Sequence, residues 1–482
     1  MRIVFIHYHL QPGGVTKVIL NTVKALEQSP SFKLLILCGE APPSSLEINT
    51  PVKVIKGLAY EGKRPQNISA QELKKEILKV SKSVFGTFPD IFHVHNHNLG
   101  KNLLLPQVVY GLAQEGFPLF LHIHDFAEDG RPGNYQLLLK HLGENNFENL
   151  STYLYPQGPH LHYLFLTSRD IKFFQYAGGS SNLHHLPNPI QNTFFSAKLE
   201  KNIFPRQRLW LYPTRGIRRK NIGELIFWST QARANDVFAT TLGPQNPLQR
   251  PYFKLWKNFA QTHNLPLHLE LANTYPYEQL LKEAHFCLTT SITEGFGLVF
   301  LEPWLNNKAL FGRDLPEITR DFKEKEIKLP YLYPSLKISL NKLNQNLLHQ
   351  KIHTKIKSLF ALYSLPLKQD FIDKTISNWT QNKQIDFGKL DEELQMQVLE
   401  KIIKHKEKIF NLPENIDYHL IEENKKKIEK NFSLSNYIFK LKNIYLEATN
   451  KQSKLEGFAD SERLLECFLS PENLSLLKID EV

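Results

Sequence analysis

The sequence predicts an α/β protein of two successive parallel sheets, each flanked by helices, followed by a mostly helical C-terminal region. Three observations carry that prediction. From residue 2 to about 190, short β-branched and aromatic runs alternate with amphipathic stretches of helical period. The same rhythm restarts after about residue 200. From about 320 the strand-like runs give way to Lys, Asn and Leu at helical spacing. The expected division is 1–195, 196–320, 321–450 and a tail at 451–482, with the first boundary near 190–207.

Taken in order, RIVFIH (2–7) is the first strand. QPGGVTKVILNTVKALEQ follows, with Gly13 and Gly14 opening a helix whose apolar side is Val18, Ile19, Val23 and Leu26. KLLILCG (33–39) is a second strand and KKEILKVSKSVFGTF (74–88) an amphipathic helix. DIFHVHNHN (90–98) and PLFLHIHDF (118–126) are strands running into polar loops. HYLFLTSRDIKFFQYAG (162–178) is strand, turn and helix, and NLHHLPNPI (182–190) closes the series. The second series is RLWLYPTRGIRRKNIGELIFWSTQAR (208–233), VFATTLG (237–243), helical RPYFKLWKNFAQTHN (250–264), LHLELA (267–272), a helix around YEQLLKEA (277–284), HFCLTTS (285–291) and KALFG (308–312). Strand-then-helix order at this rhythm means parallel sheets covered on both faces. Two such sheets in tandem would set their loop-bearing strand ends across a cleft. KIHTKIKSLFALYSL and DEELQMQVLEKIIKHKEKIF read as helices of the third region, and the last thirty or so residues as an added helix or docking tail.

Bulk properties narrow the function. The chain has 482 residues, too many for one ordinary core. Its formal net charge of +11 suits anionic substrates or an anionic surface, but Lys gathers in the C-terminal part. No recognisable nucleic-acid module accompanies it, so no nucleic-acid partner is expected. Cys38, Cys287 and Cys467 have neither metal-type nor disulfide spacing, and the first two fall in apolar runs as buried thiols. The N-terminal apolar run stops at His7, which reads as a strand and not a leader. No stretch reaches membrane-spanning length, and a cytoplasmic location is expected. The charge permits peripheral contact with an anionic membrane.

Chemistry concentrates in a few segments. TTSITEGFGLVFLEPW (289–304) joins an apolar strand to Glu294, a Gly295-Phe296-Gly297 turn and, eight residues on, Glu302. The glycines allow a tight strand-to-helix turn and close approach of a ligand to the backbone. A helix starting near Leu298 would leave its first amides open to phosphate oxygens, with Glu302 about one turn in, able to accept two ribose hydroxyls. The bland alternative is an ordinary turn with solvent-facing glutamates. LWLYPTRGIRRKNIGE places Arg215, Arg218, Arg219 and Lys220 just after a strand. Cations on such a loop can hold a diphosphate and offset the charge that builds as it leaves. Arg215 and Lys220 are favoured for this over Arg218 and Arg219, against the alternative of a solvated basic patch. Gly13 and Gly14 can bring backbone amides to a sugar or phosphate, though they are not a GxGxxG fingerprint. Strand alternation puts His93, His95 and His97 on one side, so a metal site completed by His124 or Asp125 is conceivable; ordinary strand-end polarity explains the same residues, and no metal is expected. His124, at a strand end beside Asp125, can hydrogen-bond a sugar hydroxyl or a carbonyl. His184 and His185 read as structural. No GxSxG, HExxH or P-loop is present.

The ordered set resembles the family 4 retaining glycosyltransferases, which have the GT-B fold of two facing Rossmann-like domains. That family's E-x7-E signature reads here Glu294-GFGLVFL-Glu302, and its Arg and Lys five apart read Thr214-Arg215-GIRR-Lys220-Asn221. Gly13-Gly14 match its glycine-rich loop, His124 its strand-end histidine, and SNYIFKLKNIY (434–444) its closing helix. The resemblance covers about 1–312 and, loosely, 430–450. Thr214 and Asn221 replace the glycines that flank the Arg/Lys pair, and PWLNNKALFGRDLPE departs from the usual small-residue run.

The resemblance implies a hexosyltransferase that draws on a nucleoside-diphosphate sugar, with residues 1–195 on the acceptor side and 196–320 binding the donor nucleotide. Arg215 and Lys220 would clamp the diphosphate, and Glu302 would bind the ribose. Glu294 would hold sugar hydroxyls. Phe296, Gly297 and Leu298 would present backbone groups to sugar and phosphate. Gly14 would lie under the diphosphate, and His124 would touch the sugar near C6. Catalysis would need no metal and no other cofactor. The acceptor, whether sugar, alcohol or lipid, is left open. Two other readings stand beside this one: a GT-B sugar-nucleotide epimerase, and a non-catalytic protein that binds sugar nucleotides or carbohydrate.

Overall fold

The computed structural model describes residues 1–180, 182–190, 203–447 and 453–479. The expected boundaries at 195/196 and 450/451 lie outside the described residues. The chain forms two compact units. One comprises Met1–Pro189, Leu362–Ser364 and Phe432–Ser470; the other comprises Ile190–Ala361, Leu365–Asn431 and Pro471–Val482.

The first unit is built on a parallel sheet. Its strands are β1 (Arg2–His7), β2 (Lys33–Cys38), β3 (Val52–Val54), β4 (Ile91–His95) and β5 (Leu119–Ile123). After the short β6 (Pro156–Gln157) come β7 (Leu161–Phe165) and β8 (Leu183–His185). The spatial order is β3-β2-β1-β4-β5-β7-β8. β4, β5 and β7 are buried along their whole length, as strands covered on both faces must be. One face packs on the helix Gly14–Leu26 and on the late helix Leu434–Glu447, whose Tyr437, Leu441 and Tyr445 join Phe5, Val23 and Phe120 in one apolar cluster. β6 pairs antiparallel with Gly457–Phe458, and the helix Ser461–Phe468 follows it. The helix Leu434–Glu447 and the helix Ser461–Phe468 thus return to the first unit's core before Pro471 enters the second unit.

The second unit repeats the plan with β9 (Arg208–Arg215), β10 (Asp236–Leu242), β11 (Leu267–His268), β12 (Ala284–Thr289), β13 (Ala309–Arg313) and β14 (Leu332–Tyr333), in the order β11-β10-β9-β12-β13-β14. Trp210 on β9 stacks on Phe286 of β12 with ring centroids 4.7 Å apart. The expected strand over 267–272 shrinks to two residues, because Glu270 adopts a left-handed conformation (φ 64°) and a 3-10 turn follows. The region after 320 is helical at Gln345–Leu362, Phe371–Trp379, Glu392–His405 and Tyr418–Phe432, and its strands Lys337–Ser339 and Gln384–Asp386 pair antiparallel across the first two of these helices. Buried Arg313, at the end of β13, fastens that strand pair to the sheet. It donates to Glu224 and to Asp386, a charge pairing without which neither carboxylate could stay ionised in the interior.

Each sheet has a switch point where the strand order reverses. It lies between β1 and β4 in the first unit and between β9 and β12 in the second. Loops leaving the carboxyl ends of those strand pairs diverge to opposite faces, and the crevice they leave is where open α/β sheets take ligands.

All three cysteines are free thiols. Burial pushes Cys38 up to about 11 and Cys287 up to about 12, which keeps both protonated. No helix among the described residues is long and apolar enough to cross a membrane.

Candidate active site

In the second unit the two loops at the switch point are the two that the sequence singled out. Arg215 is the last residue of β9, and the loop after it carries Lys220 on the 3-10 turn Arg218–Lys220. The loop after β12 carries Glu294 through Gly297. Backbone and hydroxyl contacts stitch them together. Ile292 N donates to Arg219 O at 3.0 Å, and Thr290 Oγ1 donates to Lys220 O and Asn221 O at 2.9 and 3.1 Å. Across the seam Lys220 Nζ forms an ion pair with Glu294. Arg215 ends β9 with its guanidinium exposed and donates to Gln245 Oε1 at 2.6 Å, on the loop beyond neighbouring β10. No contact joins Arg215 to Lys220 directly among the described residues.

The clustered cations separate by role. Arg218 is buried and donates twice to Glu392, at 2.7 and 2.9 Å, while its guanidinium lies 4.3 Å from the Tyr252 ring centroid. It ties the loop to the helix Glu392–His405. Asn221, where the resembled family has glycine, sits in the left-handed region at φ 50°. Asn is among the few residues besides glycine that enter that region readily, so the backbone path survives the replacement. Its side chain donates to Glu224 and accepts from Gln395.

The GFG turn differs from the expected helix mouth. Gly297 is left-handed (φ 88°), and a Cβ there would meet Ile318 and Phe300 at 2.8 and 2.9 Å, so both conformation and space require glycine. Leu298–Phe300 is then a single 3-10 turn, and the helix proper is Glu302–Leu305, four residues long. Glu302 therefore opens that helix; it does not lie one turn inside it. The cause is Pro303, which lacks an N–H and belongs to a first helical turn. The amides of Leu298 and Val299 make no hydrogen bond among the described residues, but so short a helix adds little dipole. Phe296 is buried edge-on against Phe322 at 5.7 Å and anchors the turn. Leu298 is partly exposed. Glu302 is half-buried close to Cys287 and Tyr277; burial above all raises both groups, and the Glu302 charge adds to it.

In the first unit, Gly13 precedes and Gly14 begins the helix after β1, beside the switch point. Both are exposed, and a Cβ on Gly14 would meet nothing within 4 Å. The unit's own packing does not ask for glycine there. His124 lies just past β5, held by backbone: Asn96 Oδ1 accepts from the amides of His124 and Asp125 at 2.7 and 3.2 Å. His124 is buried, stacks on His122 with centroids 4.1 Å apart, and shares a 2.9 Å Nε2···Nδ1 contact with His95. Burial lowers it to about 3, so the ring is neutral.

His97 leaves the row expected from strand alternation. β4 ends at His95, Asn96 turns left-handed (φ 55°), and His97 Nε2 instead meets the Leu154 carbonyl at 2.7 Å. His93, His95 and His122 do each offer a ring nitrogen within 4.8 Å of the others. The His93 Nε2···His122 Nδ1 contact is 3.2 Å, with centroids 5.4 Å apart and ring planes at 27°, a distance that a hydrogen bond between the rings accounts for. His184 likewise pairs with His162 at 3.0 Å, and His185 Nε2 faces the Leu166 carbonyl at 3.2 Å. The sequence reading missed these cross-strand pairs, Gln245, and the role of Asn96 as an amide acceptor; Asn next to a strand end was the one local signal for the last.

No protein-family profile matches the chain. It is 25% identical over 418 residues to the mannosylglucosyl-3-phosphoglycerate synthase of Petrotoga mobilis, covering 81% of this chain and 79% of that protein. Among solved structures it is similar to Anabaena HepE in complex with UDP and glucose (TM-score 0.52, 12% identity, 92% of this chain and 98% of that one). It is also similar to the lipopolysaccharide outer core galactosyltransferase WaaB in its apo form (TM-score 0.51, 14% identity, 93% of this chain and 100% of that one). With the two parallel sheets described above, these likenesses show the α/β fold to be GT-B.

Proposed function

We propose that this chain is a glycosyltransferase that moves a sugar from a nucleoside-diphosphate sugar to a hydroxyl acceptor. The observation that carries the reading is the meeting of Lys220 with Glu294 at the second sheet's switch point. One loop brings a cation for a diphosphate, and the other a carboxylate for sugar hydroxyls. The relative from Petrotoga, named as a synthase of a phosphoglycerate glycoside, and the UDP-bound neighbour support a sugar nucleotide as donor.

The finer reading is a retaining hexosyltransferase that needs no metal. In the reaction the bond from sugar C1 to the phosphate oxygen breaks, and the phosphate leaves with the electron pair. Positive charge grows on the ring and negative charge on the diphosphate. Arg215 and Lys220 offset the second charge, aided by the amides of Leu298 and Val299. Gly13 and Gly14 let backbone approach the reacting groups. Glu302 holds the ribose, Glu294 the sugar hydroxyls, and Phe296 and Gly297 fix the turn between them. The acceptor oxygen bonds to C1 on the face that the phosphate leaves, and its proton passes to the departing phosphate.

The test is release of nucleoside diphosphate from UDP-, GDP- and ADP-sugars in EDTA, with product anomers read by NMR. Phosphoglycerate glycosides head the acceptor panel because the relative's name describes one. Turnover in EDTA with a retained anomer is expected. Binding without turnover across all donors and acceptors would overturn the transferase reading, and a strict metal requirement would overturn the metal-free one.

A further inference from the structure

The buried histidines of the first unit fix the position of one proton at its carboxyl edge. Two rings have tautomers that their partners dictate. His97 Nε2 and His160 Nε2 face the carbonyls of Leu154 and Ala113 at 2.7 and 2.8 Å, and a carbonyl can only accept. Each Nε2 therefore carries the hydrogen. In both rings the other nitrogen, Nδ1, is buried and has no partner among the described residues. In these two rings the unpartnered atom is thus a lone pair and not an N–H, as expected from the rarity of orphaned buried donors.

The same rule settles the His–His pairs, where either ring could be the donor. His122 Nε2 is buried and unpartnered, so its hydrogen sits on Nδ1 and is donated to His93 Nε2. His93 then carries its own hydrogen on Nδ1, facing Tyr445 Oη at 2.5 Å. His95 Nε2 is also buried and unpartnered, so His95 Nδ1–H donates to His124 Nε2 at 2.9 Å. A neutral His124 must then hold its hydrogen on Nδ1. That nitrogen is not among the sealed, unpartnered atoms, and His124 keeps 7% of its surface open. Face-to-face stacking of His95 on His93, with centroids 4.5 Å apart and planes within 8°, holds the donor ring still.

We infer that His95 is a positioning residue: it locks His124 as the Nδ1–H tautomer, so that His124 offers a neutral hydrogen-bond donor, not a base, to a lone-pair oxygen of the bound sugar nucleotide. The tautomer rests on the first unit's geometry alone. Only its use on a sugar nucleotide rests on the transferase reading.

The two halves are tested separately. Long-range nitrogen–proton correlation spectra of the full chain labelled with 15N-histidine, assigned with His124→Asn, should show the His124 proton on Nδ1. A proton on Nε2 would overturn the assignment. His95→Leu should let the His124 pattern average or switch; an unchanged pattern would remove His95 from the role. For function, an Asn amide falls near Nδ1 of the imidazole it replaces and a Gln amide near Nε2. His124→Asn should therefore keep more transfer activity than His124→Gln, by about tenfold, roughly what one hydrogen bond is worth. His95→Asn, which keeps a donor near the Nδ1 position, should recover most of what His95→Leu loses, at equal melting temperature. Equal activity of the two His124 variants would overturn the donor role. An Nδ1–H tautomer in a chain that binds no sugar nucleotide would overturn the ligand while leaving the assignment intact.

Discussion

Lys220 and Glu294, 74 residues apart in the chain, neutralise one another across the two loops at the second sheet's switch point. Their side chains are only 15% and 11% exposed. On the proposed reading, a diphosphate competes with Glu294 for the Lys220 ammonium. Glu294→Gln should then tighten binding of the bare nucleoside diphosphate while lowering sugar transfer. The gain should be on the order of 1 kcal/mol, about fivefold, because Gln removes the competing charge but can still accept a hydrogen bond from Lys220. Lys220→Ala should weaken both. Calorimetry with the nucleoside diphosphate decides, and weaker binding by Glu294→Gln would mean that the pair assembles the site instead of competing for it.

Much of this site was legible as spacing. Glu294 and Glu302 flank a glycine turn, and Arg215 and Lys220 follow a strand, so each segment announced a strand-end loop. That both loops border one switch point was not legible, because it depends on β12 lying beside β9 and not beside β11. Nor was the split between Arg218 and Lys220. Both are basic and two apart, but Arg218's partner, Glu392, comes from 174 residues away. The helix start was misplaced at Leu298 although Pro303 marked it, since an apolar run drew the expected helix too far toward Gly297.

Gly297 and Gly14 should respond oppositely to alanine. At Gly297 the left-handed backbone and the contacts with Ile318 and Phe300 both resist a Cβ. Gly297→Ala should cost roughly 1–3 kcal/mol and lower the melting temperature. At Gly14 nothing lies within 4 Å, and alanine favours a helix. Gly14→Ala should keep or slightly raise the melting temperature while reducing turnover, by blocking a ligand's approach to the backbone. Full activity in Gly14→Ala would remove that loop from the site.

Acid should unfold the first unit steeply. Burial lowers His93 and His124 to about 3, and His97 and His162 to about 4, with His95 and His122 also well below the usual value. These folded-state values lie under the unfolded value of about 6.5. The unfolded chain therefore binds more protons between roughly pH 3 and 6.5, and stability falls as pH drops through that window. Each histidine contributes about 1.4 kcal/mol per pH unit there. Glu128, which burial raises to about 8, acts in the opposite sense by one proton between roughly pH 4.5 and 8. Denaturant midpoints measured from pH 7 to pH 5 should give a net uptake of several protons on unfolding. An uptake below one would mean that the histidines are hydrated and not buried as a stack.

Arg218 and Lys220 should fail in different ways. Arg218 sits in a buried, doubly hydrogen-bonded pair with Glu392 and against Tyr252. Arg218→Ala would strand the Glu392 carboxylate in the interior, a loss of about 3–5 kcal/mol. Arg218→Ala/Glu392→Leu together should regain much of it, because no charge is then left unpaired. Lys220→Ala removes a cation that is 15% exposed where Arg218 is 3% exposed, and Glu294 makes one hydrogen bond to it where Glu392 makes two to Arg218, so its cost to stability should be smaller than that of Arg218→Ala. Its cost should appear in diphosphate binding and turnover. Chemical denaturation of the three variants beside the parent, with nucleotide affinity measured on each, separates the two. If Lys220→Ala loses as much stability as Arg218→Ala while its nucleotide affinity is unchanged, Lys220 is a brace like its neighbour and the diphosphate clamp lies elsewhere.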